Sequence, residues 1–298
     1  MSEDLGPDDP ATLSARNDRA EALQTQGDLE QAIALYEQNL AAADRILDPR
    51  DPIALRTCNN LAVAYQASGQ WARSIPLCER ILPVREEFLG RDDPDNLAMR
   101  NNLARAYKEA GDTERAIGLY ERTLADRERV LGPDHRDTRS SRSNLAIAYQ
   151  AVGDHASAIP LCEQVLSDHE RHLGRDHVLT LTFRGNLSES YQAVGDTERA
   201  IALLEQNLAE AERIYSPDHA TVLSIRYALA RAYEDSGERE RAIPLYQESY
   251  VDAERFLGRD HPITVDARNK LAIAYQLMGD TARAIPLIER TLSENDEG

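Results

Sequence analysis

The stretch NNLARAYKEAGDTERAIGLYERTLADRERVLG, residues 101–132, contains the pattern that decides the fold of this chain. Its first half places Leu103, Ala104 and Tyr107 at spacings of one, three and four, and its second half repeats such spacings. Apolar residues spaced in this way share one face of an α-helix. Between the halves, Gly111 can adopt the left-handed conformation that ends a helix, and Asp112 can accept hydrogen bonds from the next helix. The stretch therefore predicts two helices that meet at Gly111–Asp112.

This unit recurs with a constant period of 42 residues, which a row of glycines marks most clearly. A fixed period indicates one structural unit copied along the chain. The predicted fold is all-α, an α-α solenoid of seven 42-residue helix pairs that forms a single domain over residues 1–298. The units are expected at about 10–51, 52–93, 94–135, 136–177, 178–219, 220–261 and 262–298. The glycines are Gly27, Gly69, Gly111, Gly153, Gly195, Gly237 and Gly279.

Prolines and Asp–His pairs mark the boundaries between units. Pro133 cannot continue the helix that ends at Leu131, and Asp134 or His135 is expected to cap the next helix. The Asp–His pair recurs at 176–177, 218–219 and 260–261. Further prolines fall inside the second helices, where we still expect helix with a bend. They are Pro76, Pro83, Pro160, Pro244 and Pro286.

The recurring pattern L-A-x-x-Y-x-x-x-G followed by A-I-x-x-Y resembles a tetratricopeptide repeat. The period of 42 residues and the boundary LGRDHP, residues 257–262, are similar to the form found in kinesin light chains and their bacterial relatives. The resemblance implies a right-handed superhelix whose first helices line a concave groove that binds an extended peptide or a partner helix. Lys108 and Lys270 are the only lysines of this arginine-rich chain, which suggests a bacterial source.

The resemblance also implies which positions line the groove: in the second unit they are Arg56, Asn59, Asn60, Val63 and Gln66. The position of Asn60 holds asparagine in four consecutive units. A carboxamide offers a donor and an acceptor, so such a row can pair with the backbone of an extended peptide whatever its sequence. The alternative is that these side chains hydrogen-bond within the solenoid. The candidates for this amide ladder are Asn60, Asn102, Asn144 and Asn186.

Other groove positions differ among the units and are expected to select the side chains of the partner. The place of Val63 alternates between apolar and charged residues, and the place of Asn59 changes from an amide to Gly185 and Tyr227. Tyr227 is expected to stack on a partner residue. The predicted groove therefore also contains Asn59, Asn101, Gln66, Arg105, Lys108, Gln150, Gln192, Tyr227 and Arg231.

An arginine recurs at one further position of the first helices and is replaced once, by Cys58. Its stem can pack along the neighbouring helix while its guanidinium pairs with an acid, or the row can form a basic rail beside the groove. Both interpretations stay open, and the first is favoured. The residues are Arg16, Arg100, Arg142, Arg184, Arg226 and Arg268.

The charge of the chain favours an acidic protein or peptide as partner. The net charge is −18, whereas the stretches that hold the first helices are net positive, most of all around Arg100, Arg105, Lys108 and Arg142. An acidic outer surface repels nucleic acid, and a basic groove attracts an acidic segment. We therefore expect no nucleic acid and no membrane as partner.

The sequence contains no phosphate-binding loop, nucleophile elbow or zinc-protease motif, so neither an enzyme nor a cofactor is expected. His169, His172 and His177 lack a plausible fourth metal ligand. No signal region is recognised, and the three cysteines fit core positions, which favours the cytoplasm. Two alternatives to a peptide-binding scaffold remain. Arg19 at a core leucine position indicates an N-terminal cap. Only a short polar tail follows Leu292, so the last helix pair is expected to expose apolar surface, and either the chain was cut from a longer protein or it self-assembles end to end. Such repeats also form sensor regions of larger signalling ATPases.

Overall fold

A computed structural model of the protein describes residues 9–217 and 219–295, with side chains through Thr291. This part of the chain forms fourteen α-helices and contains no strand. Asp218 of the third Asp–His pair and the polar tail after Leu292 therefore fall outside what is described in full. The helices are α1 (Pro10–Thr25), α2 (Leu29–Ile46), α3 (Pro52–Ala67), α4 (Trp71–Leu89), α5 (Pro94–Glu109), α6 (Thr113–Leu131), α7 (Arg136–Ala151), α8 (His155–His172), α9 (Val178–Ala193), α10 (Thr197–Ile214), α11 (Ala220–Asp235), α12 (Arg239–Phe256), α13 (Pro262–Leu277) and α14 (Thr281–Asn295).

The turn inside a unit has the predicted geometry. Gly111 adopts φ 93°, and the Asp112 N–H donates to the Tyr107 carbonyl at 2.9 Å while the Gly111 N–H donates to the Lys108 carbonyl at 3.0 Å. This pair of bonds is a Schellman motif, which satisfies carbonyls at the end of a helix. The Asp112 side chain then accepts from the Arg115 N–H at 3.2 Å and caps α6. The prediction of an end and a start at Gly111–Asp112 is confirmed.

The boundaries between units are capped by two kinds of side chain. Asp51 accepts from the N–H of Ile53 at 2.8 Å at the start of α3, whereas His135 uses Nδ1 to accept from the N–H of Asp137 at 3.2 Å at the start of α7. Both satisfy an N–H that has no partner inside its helix. The structure thus assigns the capping role to the histidine of the Asp–His pairs. The same Nδ1 contact recurs at His177, His219 and His261.

The prolines inside second helices do not interrupt them. α4 continues through Pro76 and Pro83, and α8, α12 and α14 each contain one proline. Pro76, the sixth residue of α4, and Pro83 each remove one hydrogen bond to the carbonyl four residues back, so the packing of the apolar face maintains the helix. The prediction of helix at these prolines is confirmed.

The helices group into two compact parts, α1–α7 and α8–α14, with the boundary at Gly153–Asp154. In each part a helix packs mainly against the preceding and the following helix of that part. In the first part, Tyr36, Leu61, Leu97 and Tyr120 are almost fully buried. In the second, Leu181, Leu204, Tyr233, Tyr246 and Leu271 belong to one core cluster. That the parts form one domain stays a prediction.

The three cysteines lie in these cores, as predicted. Cys58, Cys78 and Cys162 are at most 3% exposed, and none is bonded to another. Burial raises the pKa of each thiol to about 11. A thiol is the neutral, unreactive form of cysteine, so these side chains act as small apolar residues.

The recurring arginine of the first helices is buried and paired. Arg100 is 6% exposed and donates to Glu86 at 2.7 Å and to Asp126 at 2.6 Å. Arg184 is fully buried and donates to Glu170 at 2.7 Å and to Asn207 at 3.2 Å. The packing interpretation is therefore correct, and the basic rail beside the groove is wrong, because Arg100, Arg142, Arg184 and Arg226 already have counter-ions inside the solenoid.

A second recurring contact joins consecutive units and was not predicted. The Tyr65 hydroxyl of α3 donates to Glu37 of α2 at 2.7 Å, and the guanidinium of Arg73 lies 4.3 Å from the centroid of the same ring. Burial and the glutamate raise the pKa of Tyr65 to about 12. The tyrosine that the repeat pattern conserves therefore binds the preceding unit through its hydroxyl. Equivalent Tyr–Glu bonds occur at Tyr107–Glu79, Tyr149–Glu121, Tyr191–Glu163 and Tyr233–Glu205.

Candidate functional site

Each first helix buries one face and leaves another open to solvent. In α3, Leu61 and Tyr65 are buried, whereas Val63 between them is 42% exposed. Arg105 and Arg231 occupy the position of Val63 in α5 and α11 and are exposed as well. The position that was predicted to select side chains of the partner is therefore accessible in both parts of the chain.

A pocket of about 320 Å³ opens between α3 and α5, and we call it the α3–α5 pocket. Three predicted groove residues, Asn59, Gln66 and Asn102, meet in it. Gln66 donates from Nε2 to the Cys78 sulfur of α4 at 3.8 Å, which orients its amide oxygen away from that contact. Amide groups thus surround a mainly apolar floor. The remaining lining residues are Ala62, Val63, Cys78, Arg85, Asp95, Ala98 and Met99.

A second pocket, of about 280 Å³, lies at the corresponding place three repeats later, and we call it the α9–α11 pocket. Gln192 takes the place of Gln66, and its Nε2 is buried with no hydrogen-bond partner among the described residues. Arg231 also lines this pocket, together with Ser188, Ser224 and Ile225. The other exchanges are Asn59 to Gly185, Val63 to Glu189, Cys78 to Leu204 and Asn102 to Ala228.

The four asparagines of the predicted ladder have different surroundings. Asn60 donates to Glu21 of α1 at 2.5 Å, and Asn144 donates to Asn101 of α5 at 3.3 Å. Both bonds join neighbouring first helices, as in the alternative interpretation. Asn102 is exposed and lines the α3–α5 pocket, whereas Asn186 is half-buried in α9.

Arg56, another predicted groove position, contributes to the contact between α1 and α3. It donates to Glu21 from Nε at 3.1 Å and from Nη2 at 2.8 Å, and to Asp18 at 2.6 Å. These hydrogen bonds raise its pKa further. The first helices of units one and two are therefore connected by charges across the predicted groove.

The positive charge expected around the groove is smaller than the sequence suggested. Arg100 and Arg142 are buried and paired with acids, so they belong to the core and not to the groove surface. Lys108 pairs with the neighbouring Glu109 at 3.1 Å. Arg105 stays exposed and lies 4.9 Å from the centroid of Trp71. Arg105 and Arg231 therefore remain as the groove cations.

Tyr227 is held by its own solenoid. Its hydroxyl donates to Asp266 of α13, and its ring lies 5.8 Å from that of Tyr246. Burial and the bond to Asp266 raise the pKa of Tyr227. The expected stacking partner is thus partly supplied from within the chain. Gln150 of α7 is half-buried.

The sequence interpretation missed the floor of the pockets, one of their walls and one aromatic residue beside the groove. The floor comes from the second helix, at Cys78 or Leu204, and one wall comes from the next first helix, at Met99 or Ile225. Trp71, the only tryptophan, was also missed, although it carries the contact with Arg105. The 42-residue period could have revealed these residues, because residues that are a multiple of 42 positions apart lie at equivalent places in their repeats.

Within the described residues, no group of three or more His, Cys, Asp or Glu side chains could hold a metal ion. Of the three histidines considered, His169 packs edge-on against Phe183 at 4.9 Å, and His177 caps α9. None of the described helices combines the length and the apolar character needed to span a membrane.

A model of the tetratricopeptide repeat matches overlapping segments along nearly the whole chain, in agreement with the helix pairs and their turns. The chain belongs to the tetratricopeptide repeat family. Members of this family generally mediate protein–protein interactions. The matched residues are 11–70, 50–129, 116–171, 137–209, 179–250 and 240–293.

Solved structures place this repeat protein in the kinesin-light-chain-like group. A putative kinesin light chain with nearly identical TPR-like repeats from Podosopora anserina is 31% identical, with TM-score 0.60, over 70% of this chain and 97% of that one. BtubC (BKLC) from P. vanneervenii is 22% identical, with TM-score 0.58, over 78% of this chain and 94% of that one.

A third structure supports the fold alone. It is a signal transduction ATPase with a tetratricopeptide repeat sensor from Pyrococcus horikoshii, 14% identical, with TM-score 0.66, over 95% of this chain and 42% of that one. No curated protein matches the sequence.

Proposed function

We propose that this repeat protein is a non-catalytic scaffold that binds an extended segment of another protein along its first helices. The observation that carries the proposal is the α3–α5 pocket, in which the exposed amide of Asn102 and the half-buried amides of Asn59 and Gln66 surround an apolar floor. Pockets that combine an apolar lining with a few polar groups are typical binding sites. A volume of about 320 Å³ suits one large side chain together with the backbone beside it.

The amides give this pocket a way to hold a backbone. Asn102 is exposed and makes no hydrogen bond to another described residue, and its carboxamide can donate to a peptide carbonyl and accept from a peptide N–H. Asn59 and the oxygen of Gln66 lie along the same pocket. Asn102 therefore replaces the four-membered ladder as the central residue of the proposal.

The proposed segment carries acidic residues. Arg105 and Arg231 occupy the same position in two different units and are exposed, so each can pair with a carboxylate of a segment that binds beside it. A guanidinium and a carboxylate form paired, directional hydrogen bonds. Exposed charges of this kind contribute more to specificity and association rate than to affinity.

A selection from a random dodecapeptide library on the immobilised full chain tests this proposal. The affinity of the best peptide is then measured by calorimetry for the wild type, Asn102→Ala and Gln38→Ala. Gln38 is an exposed amide on α2, away from both pockets, and serves as the matched control. Asn102→Ala is expected to weaken binding about fivefold, which corresponds to one hydrogen bond of about 1 kcal/mol.

Three outcomes decide the matter. Weaker binding by Asn102→Ala with unchanged binding by Gln38→Ala supports the proposal. Equal binding by all three proteins contradicts the role of the α3–α5 pocket. A selection that enriches no peptide, on protein with the helical circular dichroism of the fold, contradicts peptide binding itself.

A further inference from the structure

The α9–α11 pocket contains two charges, Glu189 and Arg231, with no partner of opposite sign among the described residues. Other arginines of the second part do have such partners. Arg184, Arg226 and Arg241 are all paired with acids at 2.6–2.7 Å. Two charges of opposite sign that have no ion pair within the protein are suited to a partner that carries both signs.

The surroundings of Glu21 show what Glu189 lacks. Glu21 occupies the same position in α1, where Arg56 and Asn60 of the next first helix donate to its carboxylate at 2.5–3.1 Å. On α11, the corresponding positions hold Ser224 and Ala228, which also line the pocket. These small side chains leave the space of a guanidinium and a carboxamide empty of protein. Glu189 therefore faces a gap of the size that an arginine side chain fills beside Glu21.

A similar comparison applies to Arg231. In α5, the equivalent Arg105 lies over the ring of Trp71. The position of Trp71 holds Thr197 at the start of α10, which offers no ring. Arg231 thus lacks both the aromatic contact of its equivalent and an ion-pair partner among the described residues, and it can give its donors to a carboxylate.

The geometry points to a bipolar ligand: we propose that the α9–α11 pocket binds a segment that presents an arginine to Glu189 and a carboxylate to Arg231. This inference rests on the proposed function and extends it, because an arginine is added to the acidic residue. The guanidinium binds Glu189 through two N–H groups, as Arg56 binds Glu21. The buried Nε2 of Gln192 donates to a backbone carbonyl of the segment, and Gly185 leaves room for its chain.

Charge reversal of the pocket tests the inference. Random dodecapeptides are selected on the full wild-type chain, on Glu189→Arg/Arg231→Glu and on a control variant. The control is Glu198→Arg/Arg239→Glu, which reverses two exposed charges on α10 and α12 and leaves the net charge equally unchanged. Because none of these four side chains has an ion pair among the described residues, all three proteins are expected to fold, and circular dichroism checks this.

Wild-type and control protein are expected to enrich peptides that contain both an arginine and an acidic residue. The best of these peptides is expected to bind about tenfold more weakly to the charge-reversed pocket. Enriched peptides without arginine, or equal affinity for all three proteins, overturn the inference while peptide binding stands. A selection that enriches nothing on any of the three overturns the proposed function and the inference with it.

Discussion

The α3–α5 pocket and the α9–α11 pocket are two copies of one structural plan that carry different chemistry. The first presents the amides of Asn59 and Asn102 over the floor of Cys78, and the second presents Glu189 and Arg231 over Leu204. The first helices of both pockets span 16 residues each, although Asp51 caps α3 and His177 caps α9. The comparison teaches that the repeat separates the residues that build it from the residues that face a partner.

The first helices of the two pockets, α3 and α9, also differ at one buried position. Cys58 of α3 and Arg184 of α9 occupy the same position, and both are buried. Arg184 replaces a small thiol by a long side chain that pairs with Glu170 and packs on Asn207. At this position α3 therefore contributes apolar packing, whereas α9 contributes a buried ion pair.

The largest expected change in stability comes from truncating the side chain at this buried position. Arg184→Ala removes a fully buried guanidinium and leaves Glu170 only the longer contact of 3.9 Å with Arg175, so the free energy of unfolding is expected to fall by about 3 kcal/mol. Cys58→Ala removes only one sulfur atom and is expected to cost about 1 kcal/mol. Urea unfolding followed by circular dichroism measures both. Equal losses would mean that the ion pair adds nothing to the stability of the second part.

Alkaline pH should destabilise the protein through Cys78, the floor of the α3–α5 pocket, and not through Leu204, the floor of the α9–α11 pocket. Burial raises the pKa of Cys78 from 9.0 to about 11, so the folded protein retains a proton that the unfolded chain releases. The contribution of this thiol to stability is complete below pH 9 and is lost as the pH rises toward 11. The loss amounts to about 2 kcal/mol at the upper end.

Cys78→Leu copies the floor of the α9–α11 pocket and provides the control for this effect. The variant lacks the thiol, while the tyrosines that titrate at higher pH are the same in both proteins. The melting temperature of the wild type is therefore expected to fall faster than that of Cys78→Leu between pH 9 and pH 10.5. Parallel curves would show that the pKa of the Cys78 thiol is the same in the folded and in the unfolded protein.

The smallest expected change in stability concerns Gly185, which occupies the position of Asn59 in the first pocket. A Cβ added there would meet only Asn207 Nδ2, at 3.9 Å, an ordinary contact. Gly185→Ala is therefore expected to stabilise α9 by about 0.5–1 kcal/mol, because alanine favours helix over glycine. Peptides selected on the wild type should nevertheless bind less well, since the methyl group takes space in the pocket.

Gly118→Ala in α6 is the matched control, because a Cβ there would meet nothing within 4 Å. It should produce a similar gain in melting temperature without any change in peptide affinity. If both variants bind the selected peptides as the wild type does, Gly185 does not contact the partner.

The fold was predictable because its signals are local. Gly111 ends one helix and Asp112 starts the next through bonds that reach at most five residues along the chain. Pro76 stayed compatible with helix because the apolar face of α4 continues on both sides of it. Such signals need no knowledge of neighbouring units, and their repetition removed the ambiguity that one unit would have left.

The site was predictable only where the register alone decides location. Asn59, Gln66 and Asn102 meet in one pocket as their positions suggested. The fate of Asn60 was not predictable in the same way, since it depends on Glu21 in the preceding unit. The burial of Arg100 likewise depends on Glu86 and Asp126, which approach it from two other helices.

By itself, the sequence determined the helix pairs, their turns and their caps, because spacing and capping act within a few residues. It also determined that the residues of one position form a set. The tertiary structure decided which members of that set are available to a partner. Asn102 and Glu189 face open pockets, whereas Asn60 and Glu21 bind each other. The physical reason is that a side chain on one first helix reaches the next, so the residue 35 to 39 positions away decides whether a polar group is already satisfied.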